Sequence, residues 1–215
     1  MNRLLLHPAT KPLLIAAAFG PFAWLLWGAL TDSLGPNPAE ALMRGTGDWV
    51  LRMLCLTLAV TPLRDWTGWS ALARFRRLLG VASFGYGVTH FLCYAWLDMS
   101  LDPAAIVKDI PKRPFILVGT LALLLMAPLA ATSFNRAIRT LGAARWKKLH
   151  RLVYPVALLA LLHFFWMRAA KNNFAEWSVY AAVLAVLLGW RLLQAWRRGR
   201  RSPTRAVPAV RAATA

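Results

Sequence analysis

Histidine is the side chain best suited to ligate a metal or relay a proton near neutral pH. This sequence has four: His7, His90, His150 and His163. His7 precedes Pro8 near the N-terminus and reads as an exposed residue. His90 and His163 lie deep in long apolar runs, 12 residues after Leu78 and 13 residues after His150 respectively. At about 1.5 Å per residue, both then stand roughly 18–20 Å from one edge of a helix bundle. Two imidazoles at one depth on two helices can clamp a single haem iron. The alternative is that each hydrogen-bonds a neighbouring helix, as polar side chains in membranes do. A depth-matched pair, in a chain with almost no other buried ionisable group, favours ligation. Gly80, Ser83, Gly87 and His90 are spaced 3, 4 and 3 and set small residues along one helix face. Such a stripe lets a flat macrocycle or a second helix come close.

The remaining polar residues divide less cleanly. His150 stands at the mouth of its apolar run, where a second bis-histidine site would need a partner about 14 residues before His90; Arg76 occupies that place. On an ideal helix His150 and His163 are about 140° apart, and Pro155 between them can distort that helix. His150 is thus open to ligation, to a proton-coupled or quinone contact, or to a structural role. Arg52, one turn inside its apolar run, either snorkels outward or pairs with a haem propionate. Lys112 and Arg113, just before Pro114, are similar candidates for a propionate or a partner protein. Cys55 and Cys93 both sit in apolar runs and read as packing residues.

These residues need helices to hold them, and the composition says of what kind. Of 215 residues, 59% are hydrophobic and 16% charged, against about 45–50% and 25% in soluble domains. Disordered chains are poor in apolar residues, so disorder is excluded. Apolar segments at about 12–30, 49–62, 78–97, 115–131, 150–168 and 177–194 predict an all-α membrane protein of six spans. The second, short and holding Arg52, is the weakest. The first lacks a small-x-small cleavage signal and reads as a retained span. The basic residues orient the bundle. Stretches 1–11, 63–77, 131–149 and 191–215 hold 18 Lys and Arg with one acid, Asp65; stretches 31–48, 98–114 and 169–176 hold five with seven acids. Basic loops stay in the cytoplasm, which predicts both termini inside. The formal charge of +18 is then a topology signal, not a nucleic-acid surface. Residues 1–11 form a cytoplasmic N-terminus, 12–194 the membrane domain, and 195–215 a basic, disordered tail.

Four stretches carry a resemblance: GDWVLRMLCLTLAVTPLR (47–64), RRLLGVASFGYGVTH (76–90), KRPFILVGTLALLLMAPLAATS (112–133) and LGAARWKKLHRLVYPVALLALLHFFW (141–166). They resemble the MsrQ (YedZ) family, haem-binding membrane subunits of bacterial periplasmic protein-methionine-sulfoxide reductase systems, within the wider ferric-reductase-like transmembrane group. By position, His90, His150 and His163 match the three histidines associated with haem in that family. The resemblance implies a ferric-reductase-like six-helix bundle in the bacterial inner membrane, with haem b between the third and fifth spans. That superfamily usually stacks two haems; here the outer pair is complete and only one inner histidine remains. A flavin mononucleotide is implied by the resemblance alone, since no flavin motif is visible. About 20 residues follow the last span, without a GxGxxG at a strand–helix junction. Electrons are therefore expected from membrane quinone, in its reduced form, or from a separate cytoplasmic flavin reductase. They are expected to leave for a periplasmic molybdopterin-containing reductase subunit. The competing expectations are a free-standing ferric reductase and a small transporter or scaffold with structural histidines.

Overall fold

The computed structural model describes residues 2–169 and 172–200. Within them run α1 (Asn2–Leu6), α2 (Thr10–Leu30), α3 (Pro38–Thr67), α4 (Arg76–Cys93), α5 (Pro103–Asp109), α6 (Pro114–Ala131), α7 (Asn135–Leu141), α8 (Ala143–Leu149), α9 (Val153–Ala169) and α10 (Ala175–Arg200). Local chemistry sets the boundaries. Asn37 accepts the Glu40 N–H at 3.1 Å, Pro38 opens α3, and left-handed Gly68 (φ 72°) ends it. Asp102 caps α5 through the Ala104 N–H at 2.8 Å, again with a proline at the first position.

Five segments among the described residues are long and apolar enough to cross a membrane: Thr10–Leu30, Ser70–Asp98, Pro114–Ala131, Ala143–Ala169 and Ala175–Arg200. The chain is a multi-pass membrane protein. Large apolar side chains on these helices point outward, among them Phe19 and Trp24 of α2, 60% and 68% exposed. That is the pattern hydrocarbon permits and water does not. The sixth expected span, 49–62, lies on α3 and fails the same test of composition. Its 30 residues include Glu40, Arg44, Asp48, Arg52, Arg64 and Asp65. The physical reason lies in where its charges fall: Glu40, Arg44 and Asp48 near its start and Arg64 and Asp65 at its end leave only a short apolar run between them, itself interrupted by the exposed Arg52.

Two clusters flank α3. On one side Leu51, Leu54, Cys55 and Leu58 pack with Met126 of α6, Val156 and Ala157 of α9, and Leu184 and Leu187 of α10. On the other, Met53 and Val60 pack with Ala18 of α2 and Leu79 and Tyr86 of α4. Cys55 is a buried free thiol and Cys93 a half-buried one. The small-residue stripe of α4 serves mainly the helix contact: Ser83, fully buried, donates to the Val50 carbonyl of α3 at 3.0 Å.

Two boundaries differ from the sequence reading. The helix through His150 breaks there: a 3-10 turn covers His150–Leu152 and α9 starts at Val153. Pro155 falls in the first turn of α9, where its missing N–H costs no hydrogen bond. The last helix does not stop at 194. It continues through the helix-forming Gln194–Arg200 stretch to Arg200, with Arg197, Arg198 and Arg200 favourably placed at its negative end. The rest of the expected tail, 201–215, lies outside the described residues.

Tyr86 ties α2 to the bundle. Its hydroxyl donates to the Ala18 carbonyl at 2.7 Å and accepts the Phe22 N–H at 3.1 Å, groups that an uninterrupted helix would bond to each other. Tyr86→Phe should therefore loosen α2, costing about 1 kcal/mol in reversible unfolding in mixed micelles. An unchanged unfolding midpoint would show that α2 docks without this bridge.

Candidate functional site

His90, near the end of α4, and His163, on α9, meet across one cavity. Their ring centroids are 6.0 Å apart and the ring planes cross at 78°. Each ring is held through Nδ1. His90 Nδ1 lies 2.9 Å from the Met43 carbonyl of α3, and His163 Nδ1 lies 2.7 Å from the Phe115 carbonyl of α6. A carbonyl only accepts, so both Nδ1 atoms carry the proton and both Nε2 atoms keep a lone pair. A backbone partner on the distal nitrogen is the usual support of a metal-binding histidine.

The walls are largely apolar, including Leu51 of α3 and Ile116, Leu123 and Met126 of α6, while Arg44, Asp48, Asp98, Arg113 and Arg168 collect at one end. These residues fall in or beside the stretches 31–48, 98–114 and 169–176. Two imidazoles alone cannot complete the four-ligand shell of a bare structural metal ion. They do suit a planar macrocycle that supplies its own in-plane nitrogens. Two polar atoms of the lining remain unsatisfied: Thr120 Oγ1 and Arg168 Nε are buried with no partner among the described residues.

The arginines differ in how committed they are. Arg113 donates through Nε (2.8 Å) and Nη2 to Asp109, which also accepts the Tyr94 hydroxyl at 2.7 Å. The hydrogen bond from Arg113, then that from Tyr94, holds the Asp109 carboxyl below the usual carboxylate range. Arg168 is paired with Glu176 through Nη2 only, rides over the Phe164 ring, and is 14% exposed. Arg168 follows His163 by five residues, and its position beside a histidine near a helix end was the signal available in the sequence. Arg52, singled out from the sequence, faces the other way: it donates to the Tyr180 hydroxyl at 3.1 Å and stacks on Trp49. It is exposed and outside the cavity lining. Lys112 is not in the lining either, whereas Met167 is.

His150 stands apart from the pair. Its Nε2 is 3.0 Å from Thr132 Oγ1, and its ring stacks on Trp146 at 3.9 Å. Trp146 itself donates to the Thr132 carbonyl. Arg76, which the sequence placed opposite, and its neighbour Arg77 are the charges that act on it.

The class of this bundle follows from its sequence relatives. Residues 46–161 match the family model described as ferric reductase like transmembrane component. That stretch contains His90, His150 and one side of the cavity wall from each of α3, α4 and α6. Three proteins named protein-methionine-sulfoxide reductase heme-binding subunit MsrQ are close in sequence. That of Polaromonas naphthalenivorans is 60% identical, covering 93% of this chain and 91% of its own. Those of Ralstonia nicotianae and Bordetella pertussis are 54% and 50% identical, covering 85% and 87% of this chain and 84% and 91% of theirs. The chain belongs to the MsrQ family, within the ferric-reductase-like transmembrane proteins. No solved structure matches it.

Proposed function

We propose that this chain is the haem b electron-transfer subunit of a protein-methionine-sulfoxide reductase, in a bacterial inner membrane. It takes electrons from membrane quinol and passes them to a periplasmic molybdopterin-containing reductase that repairs oxidised methionines. The observation that carries the reading is the His90–His163 pair: two Nδ1–H groups tied to carbonyls, two Nε2 lone pairs left for one cavity. The remaining features fit a haem. The walls are apolar, and the unpartnered Arg168 Nε offers a charged donor to a propionate at the mouth. When bound, haem supplies a reversible one-electron carrier. The chain's own contribution is to ligate through His90 and His163, to exclude water with Leu51, Ile116, Leu123 and Met126, and to set the propionate end with Arg168. His150 lies outside this ligand set, and flavin mononucleotide has no residues assigned to it.

The orientation is part of the proposal. Six crossings, α3 included, with both termini inside put the basic 63–77 and 131–149 stretches in the cytoplasm and the charged mouth of the cavity outside. Electrons leaving the haem then face the periplasm. Alkaline phosphatase fused after Pro38 or Asp109 should be active, and fused after Ala143 inactive; the reverse pattern would turn the bundle over.

Ligation is tested by substitution. His90→Ala and His163→Ala should each abolish low-spin haem in a polypeptide that still inserts. Met167, one turn beyond His163 and in the cavity lining, is the available substitute ligand, with a shifted His/Met spectrum as its mark. His150→Ala should keep most of the haem. Haem loss in His150→Ala with His90→Ala unaffected would identify a different ligand pair.

The ferric-reductase family match keeps a second reading in view, a free-standing reductase of small acceptors. Reconstitution in liposomes with a reduced quinone analogue separates the two. Haem reoxidation by methionine sulfoxide should need the molybdenum subunit. Fast reoxidation by ferric chelates, unaccelerated by that subunit, would favour the second reading.

A further inference from the structure

Each cavity histidine rests on a glycine of the helix beside it. A Cβ built on Gly47 would lie 3.0 Å from Cε1 and 3.2 Å from Nδ1 of His90. One built on Gly119 would lie 2.9 Å from Nδ1 and 3.0 Å from Cε1 of His163. Neither glycine has a positive φ, so backbone freedom does not explain them. Space does. In both cases the carbonyl that accepts the Nδ1–H belongs to the residue four positions earlier: Met43 before Gly47, Phe115 before Gly119. Residues i and i+4 sit one above the other on a helix face. Each imidazole therefore lies across a single turn, its N–H on the carbonyl and its adjoining ring atoms on the glycine. A methyl group there would lift the ring off its carbonyl. The two arrangements are the same device on two helices, α3 and α6. His150 lacks it, resting on a threonine hydroxyl and a tryptophan ring.

We propose that Met43/Gly47 and Phe115/Gly119 are matched seats that fix the tautomer and plane of the two axial histidines. The seats, not the haem, hold the ring planes near perpendicular, at the 78° seen here. Met43, Gly47, Phe115 and Gly119 are thus positioning residues, acting through the ligands. The proposal rests on the haem ligation proposed above and adds a physical consequence to it. Near-perpendicular axial imidazoles leave two iron orbitals of a low-spin ferric haem almost equal in energy, which gives a highly anisotropic electron paramagnetic resonance signal. Near-parallel rings split those orbitals and give an ordinary rhombic signal.

The test uses the purified full-length chain with its haem, oxidised, in detergent. Wild-type protein should show the highly anisotropic signal. Gly47→Ala and Gly119→Ala should each lose it, to a rhombic or high-spin signal or to loss of haem from an inserted chain, with a shifted midpoint potential where haem remains. Gly85→Ala and Gly189→Ala, where an added Cβ meets nothing within 4 Å, should keep signal and potential. A rhombic wild-type signal, or seat variants indistinguishable from wild type, would overturn the proposal. Should a seat variant not accumulate, the wild-type signal still decides. His90→Ala and His163→Ala, run alongside, separate the two failures. If they retain low-spin haem, the ligation reading falls; if they lose it while both seat variants behave as wild type, only the seats fall.

Discussion

In hydrocarbon a polar side chain has no water to turn to, and the nearest acceptors are the carbonyls of the next helix. This bundle is joined by that shortage. Among the described residues, side chains donate between the long helices to backbone oxygens at six places: Tyr86 to Ala18, Ser83 to Val50, His90 to Met43, His163 to Phe115, Trp177 to Leu161 and Arg191 to Leu58. Two of these oxygens lack the usual partner four residues on, since the Phe22 N–H turns to Tyr86 and Pro62 has none to give; the others can lend a second lone pair. Three of the six lie on α3, at Met43, Val50 and Leu58, and they receive donors from α4 and α10. The helix that offers these acceptors packs against both α4 and α10, and its charges keep to its two ends and to the exposed Arg52.

The cavity inherits its character from the same constraint. Two of the six donors are its histidines, so the bonds that hold α4 against α3 and α9 against α6 are also those that aim the rings. In the proposed haem site, packing and ligation are one arrangement. At the mouth the polar groups are only partly spent: Arg113 is committed to Asp109, which Tyr94 also bonds, while Arg168 keeps a buried Nε with no partner among the described residues. The unspent donor, not the nearest charge in the sequence, marks the end where a carboxylate would be welcome.

Much of this was legible in the sequence because it depends on period and charge alone. Apolar length predicted the five lipid-facing spans, and helical rise put His90 and His163 at one depth. A sixth span was expected on α3, where the apolar run is short and flanked by charge, and what that helix packs against is not written in its own composition. Arg52 shows the same limit: one helical turn decides whether a side chain enters the cavity or meets Tyr180, and rotation about an axis leaves little trace in a one-dimensional pattern.

What the sequence determined by itself is therefore the kind of molecule, a basic-looped helical membrane protein with two histidines level with each other. Those properties follow from the 1.5 Å rise and from the cost of charge in lipid, whatever the helices pack against. Tertiary structure decided which backbone carbonyl each histidine meets, why Gly47 and Gly119 carry no side chain, and which arginine faces the cavity. Each of these is a relation between residues dozens of positions apart, set by how helices rotate and approach. Only the packed bundle fixes it.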